Sequence, residues 1–249
     1  MPAMDTIRYA RHHALPDFGP EAQERLRQAR VLLIGVGGLG CASAAYLTAA
    51  GVGELRLADF DTVDTANLQR QILFQSHQVG QDKTAAAMAH LSALNPQVTL
   101  TPVNQRLDED SLLAQAQEVD LILDGSDNFP TRFAVNRAAV ATSTPLVSGA
   151  AIRWQGQVAV FQPGTGCYAC LFDEMSADDD MGDCASNGVL GPLVGVIGSL
   201  QAVEALKILS GSGERTGGRL LRYDAFTGQW QSSRFGRDPK CPACGERHE

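Results

Sequence analysis

The stretch Val31-Leu32-Leu33-Ile34-Gly35-Val36-Gly37-Gly38-Leu39-Gly40 decides the fold. An uninterrupted apolar run at residues 31–34 reads as a strand buried on both faces, the kind a parallel sheet carries at its centre. It runs straight into glycines, and Gly35, Gly37 and Gly40 match the G-x-G-x-x-G pattern. Glycine there permits a tight turn and lets the backbone touch phosphate. Small residues at 38–50 predict a helix that can approach its neighbours closely, and residues 55–58 predict the next strand. That strand closes on Asp59, about 20 residues past the turn, where a carboxylate can accept both ribose hydroxyls of an adenosine or simply cap the strand end. The glycine pattern alone supports a dinucleotide as well as a mononucleotide.

Working outward, residues 20–28 predict a helix with proline at its start. Downstream, helices at 83–94, 110–116 and 131–141 alternate with strands at 98–103, 120–123 and 145–148. This predicts an α/β protein, a Rossmann-like, mostly parallel sheet with helices on both faces. From residue 156 on, strand-like segments at 157–161, 219–224 and 229–234 flank an apolar helix at 194–209, which adds C-terminal antiparallel strands. A single domain over residues 1–249 is expected, with 156–249 carrying two cysteine knuckles.

With 249 residues, 44% hydrophobic and 19% charged, the chain can bury one substantial core. The net charge of -8, with no Lys/Arg cluster, argues against a nucleic-acid partner. The opening residues lack the apolar core of a signal peptide, so a cytoplasmic location is expected. Residues 189–203 are too short for a membrane span of about 20 residues. Gln201, Glu204 and Lys207 follow at helical spacing, so a buried helix and no membrane contact are expected.

In a reducing compartment the 6 cysteines should stay thiols or bind metal. Cys167-x-x-Cys170 and Cys241-x-x-Cys244 present four thiolates to one tetrahedral Zn²⁺, which fills the shell and makes the metal structural. A redox pair is the weaker reading because neither knuckle opens a thioredoxin-like helix. Cys41, among small residues at a helix start, reads as a packed thiol. Cys184 lies in an acidic loop, SADDDMGDCASN, whose aspartates should raise its pKa.

The segment DTVDTANLQRQ at 61–71, with Lys83 beyond it, separates the nucleotides. A dehydrogenase needs no dense polar and cationic set here, whereas Arg70 and Lys83 can neutralise a polyphosphate. Lys83 can also be a solvated helix charge. Asp127, in LDGSDN after a predicted strand, falls at the carboxyl edge of the sheet, where it can hold Mg²⁺. Alternatively, Asp127 or Asn128 caps the following helix.

The stretches RYAR, GVGGLG, ADFDTVDTANLQRQILF, GQDK, LDGSDN, SGAAI, CYAC, GVIGSLQAVEALK and CPAC, in this order, resemble the MoeB/ThiF/HesA family. Its enzymes are similar to the adenylation half of ubiquitin-activating enzymes. The run at 148–153 followed by Gly156-Gln157 is more like the MoeB branch, the molybdopterin-synthase adenylyltransferases, than ThiF. The resemblance implies that ATP is attacked at its α-phosphate by the C-terminal Gly-Gly carboxylate of a ubiquitin-like sulfur-carrier protein. Pyrophosphate leaves, and the carrier becomes an acyl-adenylate for molybdopterin biosynthesis. The alternative within the family is a ThiS-like carrier for thiamine or tRNA thiolation. Carried over by position, Gly38 contacts the nucleotide near the phosphates, Asp59 the ribose, and Ala66, Asn67, Leu68, Gln69 and Arg70 wrap the ATP. Arg70 and Lys83 stabilise the phosphates, and Asp127 with Asn128 positions Mg²⁺. Arg11 matches an arginine that reaches the neighbouring subunit's site, which implies a homodimer. The chain departs from the family at His12-His13, read here as ordinary polar residues. Cys184 matches a cysteine that, in ThiF-like relatives, takes an acyl or persulfide link, and a sulfur-donor protein is a further implied partner. Two other classes compete with this reading: an NAD(P)-dependent oxidoreductase, and a non-catalytic zinc-braced scaffold for a ubiquitin-like partner.

Overall fold

A computed structural model describes residues 7–174, 187–214 and 216–245. Helices α1 (Ala10–His13) and α2 (Gly19–Gln28) lead into strand β1 (Arg30–Ile34), helix α3 (Gly38–Ala50) and strand β2 (Glu54–Ala58). Helix α4 (Lys83–Leu94), strand β3 (Thr99–Val103), helix α5 (Glu109–Gln117), strand β4 (Leu121–Asp124), helix α6 (Phe129–Thr142) and strand β5 (Leu146–Ile152) continue the alternation. Strand β6 (Gln155–Phe161), the one-turn helix α7 (Tyr168–Leu171), helix α8 (Gly191–Ser210), and strands β7 (Arg219–Asp224) and β8 (Gln229–Arg234) follow.

All eight strands join one sheet in the order β3-β2-β1-β4-β5-β6-β7-β8. The first five positions pair parallel and the remainder antiparallel. Side chains alternate across a strand, so Val31 and Leu33 pack into the layer of α3, α4 and α8, while Leu32 and Ile34 pack into that of α5 and α6. From β1 the chain builds outward through β2 and β3, then returns to β4 on the other side of β1. The connections diverge at that point and leave a crevice at the carboxyl ends of β1 and β4.

Several boundaries differ from expectation for tertiary reasons. Strand β5 continues past residue 148 to Ile152 because β6 pairs with it over its whole length, up to Ile152 opposite Gln155. Helix α6 starts at Phe129 because Asn128 Oδ1 accepts the Thr131 N–H at 2.9 Å and caps it. Helix α8 starts at Gly191 with Pro192 in its first turn. At 20 residues it is long and apolar enough for a membrane span, so the expectation that length excludes one is corrected. One face of it, with Leu193, Val194, Ile197, Ala202 and Ala205, is buried in the core with α3 and the sheet. A Cβ on Gly198 would collide with the Leu39 carbonyl oxygen, so the two helices touch backbone to backbone there. Ser43 Oγ joins them, 3.1 Å from the Leu39 carbonyl oxygen and 3.0 Å from that of Gly198.

Candidate functional site

The glycine turn after β1 is held by contacts that only glycine tolerates. Gly35 has φ +83°, and a Cβ on it would stand 3.1 Å from the Gly125 carbonyl oxygen across the crevice. A Cβ on Gly40 would collide with the Gly35 carbonyl oxygen, which draws the start of α3 down onto the turn. Among the described residues no side chain caps α3, which leaves its first-turn N–H groups to an anion, favoured there by the helix dipole as well. The first turn of α8 leans on the same place. A Cβ on Gly38 would come 2.7 Å from Val194 Cγ2, and one on Gly191 would come 2.6 Å from the Gln69 carbonyl oxygen.

Asp59 is buried at the end of β2. Its Oδ2 accepts the Val36 N–H at 2.7 Å and its Oδ1 the Asp61 N–H at 2.9 Å, which ties the glycine turn to the next strand. Burial pushes its carboxyl above the ordinary carboxylate value, against the pull of Lys83. Lys83 is buried rather than solvated, so the solvated-charge reading is corrected. Its Nζ donates to Asp61 Oδ2 at 2.8 Å and lies 4.0 Å from Asp59 Oδ1. Asp61, not singled out from sequence, is thus the direct partner of this ammonium.

The segment after Asp61 folds into a 3-10 turn, Thr65–Asn67, capped by Asp64, whose Oδ1 accepts the Ala66 N–H at 2.7 Å. Arg70 is held back on this turn, donating to Asn67 Oδ1 at 2.7 Å and to the Ala66 carbonyl at 3.3 Å. Leu68 packs against the core and Gln69 meets α8. Across the crevice, Asn128 performs the capping, which leaves Asp127 as an exposed carboxylate accepting one bond from Asn128 Nδ2 at 3.3 Å. Asp124 is fully buried beneath them and orients the loop by accepting from Ser126 Oγ at 2.6 Å and Ser148 Oγ at 2.9 Å. Gln201 of α8 donates to the Asp124 carbonyl at 2.8 Å. From sequence, Asp124 figures only within LDGSDN and Gln201 only as a polar helix residue, neither assigned to the site, because their partners come from distant elements.

Gly38, Asp59, Ala66 to Arg70, Lys83, Asp127 and Asn128 therefore surround one crevice. Arg11 does not join them. It is exposed on α1, beside Tyr9, whose ring packs on Gly51 at the far end of α3. Thirteen residues of helix separate that end from the glycine turn, about 20 Å. Within one chain Arg11 cannot reach the crevice. Cys184 lies outside the described residues. His12 Nδ1 bonds Gln23 Oε1 at 2.9 Å, in keeping with an ordinary polar role.

The two knuckles meet at the opposite, amino-terminal side of the sheet's centre. Cys167 Sγ lies 3.9 Å from Cys170 Sγ and 3.6 Å from Cys241 Sγ, and Cys170 Sγ lies 3.4 Å from Cys244 Sγ. All four sulfurs fall within 4.8 Å of one another. A tetrahedron with metal–sulfur bonds of about 2.3 Å has sulfur edges of about 3.8 Å, so the cluster fits a four-thiolate metal site. Cys167 stands before α7, which at 4 residues is a single turn and not a thioredoxin-like helix. Asn136 of α6 orients the knuckle, its Nδ2 donating to Cys167 Sγ at 3.6 Å and its Oδ1 accepting the Tyr168 N–H at 2.8 Å. Cys41 is fully buried and its thiol is pushed up to about 12 by that burial.

A ThiF family model matches residues 9–243. The molybdopterin-synthase adenylyltransferase of Escherichia coli (strain K12) is 46% identical over 244 residues, 97% of each chain. The sulfur carrier protein ThiS adenylyltransferase of the same strain is 42% identical over 243 residues, covering 97% of this chain and 96% of its own. The crystal structure of E. coli MccB with succinimide superposes with a TM-score of 0.85 at 24% identity, over 96% of this chain and 74% of MccB, a likeness of fold.

Proposed function

As the chain belongs to the ThiF family, we propose that it is an adenylyltransferase that activates the C-terminal Gly-Gly carboxylate of a ubiquitin-like sulfur-carrier protein serving molybdopterin synthesis. The single observation that carries this reading is the composition of the crevice. A glycine turn at an uncapped helix start shares one cleft with a buried ribose-type carboxylate and the cationic pair Arg70 and Lys83. That set suits chemistry on the phosphates of ATP.

In this reading Asp59 uses about two of its roughly four lone-pair positions on backbone N–H groups and offers the others to the ribose. The phosphates lie at the start of α3 beside Gly38, under the cover of Ala66 to Arg70. A carboxylate oxygen of the carrier bonds to the α-phosphorus while the bond to the bridging oxygen breaks and pyrophosphate departs. The carboxylate is already a nucleophile, so no general base is required. Arg70 and Lys83 offset the charge repulsion between the two anions. Bound Mg²⁺ supplies further neutralisation of the phosphates, and Asp127, exposed and oriented by Asn128, would hold it.

Four thiolates at the knuckles suit Zn²⁺, which would brace the C-terminal tail against α6 and α7 within a single adenylation domain. A homodimer accords with the apolar residues Val196, Val203 and Tyr46 that α8 and its neighbour α3 leave exposed. The partner's copy of the first helix would then carry its arginine to this crevice. The expected cytoplasmic location suits thiols kept reduced for metal. Adenylation itself uses no thiol, so a role for Cys184 belongs to a later sulfur-transfer step with a donor protein. The relative that acts on ThiS favours a second reading, a thiamine-type or tRNA-thiolation carrier.

The test is exchange of labelled pyrophosphate into ATP by the purified protein with Mg²⁺. Molybdopterin-type and thiamine-type carriers are added in turn, each intact or lacking its final glycine. Exchange only with the intact molybdopterin-type carrier is the expected result. Exchange only with the thiamine-type carrier selects the second reading, and no exchange with either overturns both.

A further inference from the structure

Gln71 is buried to within 4% of full enclosure, yet its Oε1 has no hydrogen-bond partner among the described residues. Its Nε2 lies 3.8 Å from the position a Cβ would take on Gly37, directly against the glycine turn. The backbone cannot carry this side chain elsewhere. The Gln71 N–H donates to the Asn67 carbonyl at 3.0 Å, its carbonyl accepts the Phe74 N–H at 3.1 Å, and the buried Leu73 and Phe74 anchor the chain just beyond it. Buried polar groups are nearly always paired, and the exceptions call for an explanation such as an absent ligand. A phosphate oxygen only accepts hydrogen bonds, so it is the Nε2 end of this carboxamide, the end turned to the glycine turn, that can meet a phosphate there. The uncapped start of α3 is an anion site, and the carboxamide is aimed at it.

We propose that Gln71 is a phosphate-binding residue, whose carboxamide NH2 donates to a phosphate oxygen of ATP seated at Gly37 and Gly38. The proposal rests on the ATP-dependent reading of the crevice and deepens it. The cations Arg70 and Lys83 attract every anion in the crevice, including departing pyrophosphate. A neutral donor adds direction without adding that retention. With no partner for Oε1 among the described residues to fix its rotation, the carboxamide takes its orientation from the nucleotide.

The test uses the full-length protein with Gln71→Met, which keeps length and burial but removes both hydrogen-bonding groups, and with Gln71→Glu. Binding of MgATP and of adenosine is measured by calorimetry from pH 5 to 8, with melting of the unliganded proteins alongside. For the methionine variant the affinity for ATP should fall by roughly tenfold to a hundredfold, the range for a hydrogen bond to a charged group, while that for adenosine holds. The melting temperature should not fall. For the glutamate variant, ATP affinity relative to wild type should recover toward low pH, where a protonated carboxyl donates again. A merely structural role would weaken both ligands together and show no such recovery. ATP affinity of the methionine variant within twofold of wild type overturns the proposal. If that variant does not fold, a pH-independent ratio for the glutamate variant overturns it. Wild-type protein that binds ATP but exchanges no pyrophosphate with any carrier sinks the carrier reading and leaves Gln71 standing; failure to bind ATP at all overturns both.

Discussion

Replacing Lys83 by methionine should destabilise the unliganded protein in a pH-dependent way. The ammonium sits 2.8 Å from Asp61 Oδ2 and 4.0 Å from Asp59 Oδ1, with Lys83 and Asp59 side chains 6% and 8% exposed. At 4 Å and an effective dielectric near 20, a unit charge pair is worth about 4 kcal/mol, and removing one partner of a buried pair costs about 3–5 kcal/mol. A second bound comes from titration. Asp59 can escape an unpaired charge by binding a proton, which at pH 7 costs about 4 kcal/mol from an ordinary value near 3.9. Asp61 is half-exposed and loses little. A loss of about 2–4 kcal/mol at pH 7 is therefore expected.

The sign with pH comes from Asp59. Its folded-state value already stands above the ordinary one through burial, and removal of Lys83 raises it further. The folded variant then binds more protons than the unfolded chain between the two values, so stability falls as pH rises through that window. The deficit against wild type should be small near pH 4 and grow toward pH 7. Urea denaturation of both proteins at steps between pH 4.5 and 8 reads it, with Asp59→Asn combined with Lys83→Met to close a double-mutant cycle. A deficit that is the same at pH 5 and pH 8, or a more stable variant at pH 7, would refute the pairing argument. In the same variant, pyrophosphate exchange should drop by about 10²-fold or more, as when one preorganised donor is removed from a transition state.

Metal analysis of the purified chain should find one zinc per molecule. Cys244→Ser should lower that content and the melting temperature, and a wild-type chain without metal would contradict the four-thiolate assignment. Native protein treated with a thiol alkylating reagent at pH 7.5 should leave Cys41 unmodified, because burial pushes its thiol up to about 12, while denatured protein is labelled there. Peptide mapping that finds native Cys41 labelled as fast as free cysteine would count against that burial. Gly198→Leu should destabilise the fold by roughly 1–3 kcal/mol through overpacking against the Leu39 carbonyl, measured by urea titration. An unchanged midpoint would show that α3 and α8 can separate at no cost.

The parallel half of the sheet was legible because each strand and helix carries its own periodicity, and the glycine pattern with Asp59 placed the crevice between them. The full run of β5 was not. Gly149, Ala150 and Ala151 have little strand propensity and become strand only because β6 pairs across from them, with Gly149 leaving room for Gln201. The knuckles were legible from spacing, whereas Asn136, which bonds Cys167 from a helix far away in sequence, was an unremarked polar residue in an apolar segment. Between Asp127 and Asn128 the choice of cap could not be read from composition, since both side chains can accept an N–H, and the turn geometry gave it to Asn128.

Residue chemistry and short-range spacing by themselves determined the α/β alternation, the glycine turn, the cysteine quartet and the cationic residues that follow β2, since these depend on patterns within a few tens of residues. Tertiary structure alone decided that Lys83 is buried between two carboxylates, that α8 closes on α3 through Gly198, and that the Gln71 side chain is buried against the turn with its Oε1 unpartnered among the described residues. Those facts are set by which distant surfaces exclude water from one another. Burial, and the hydrogen-bonding debts it creates, has no signature in the local order of residues.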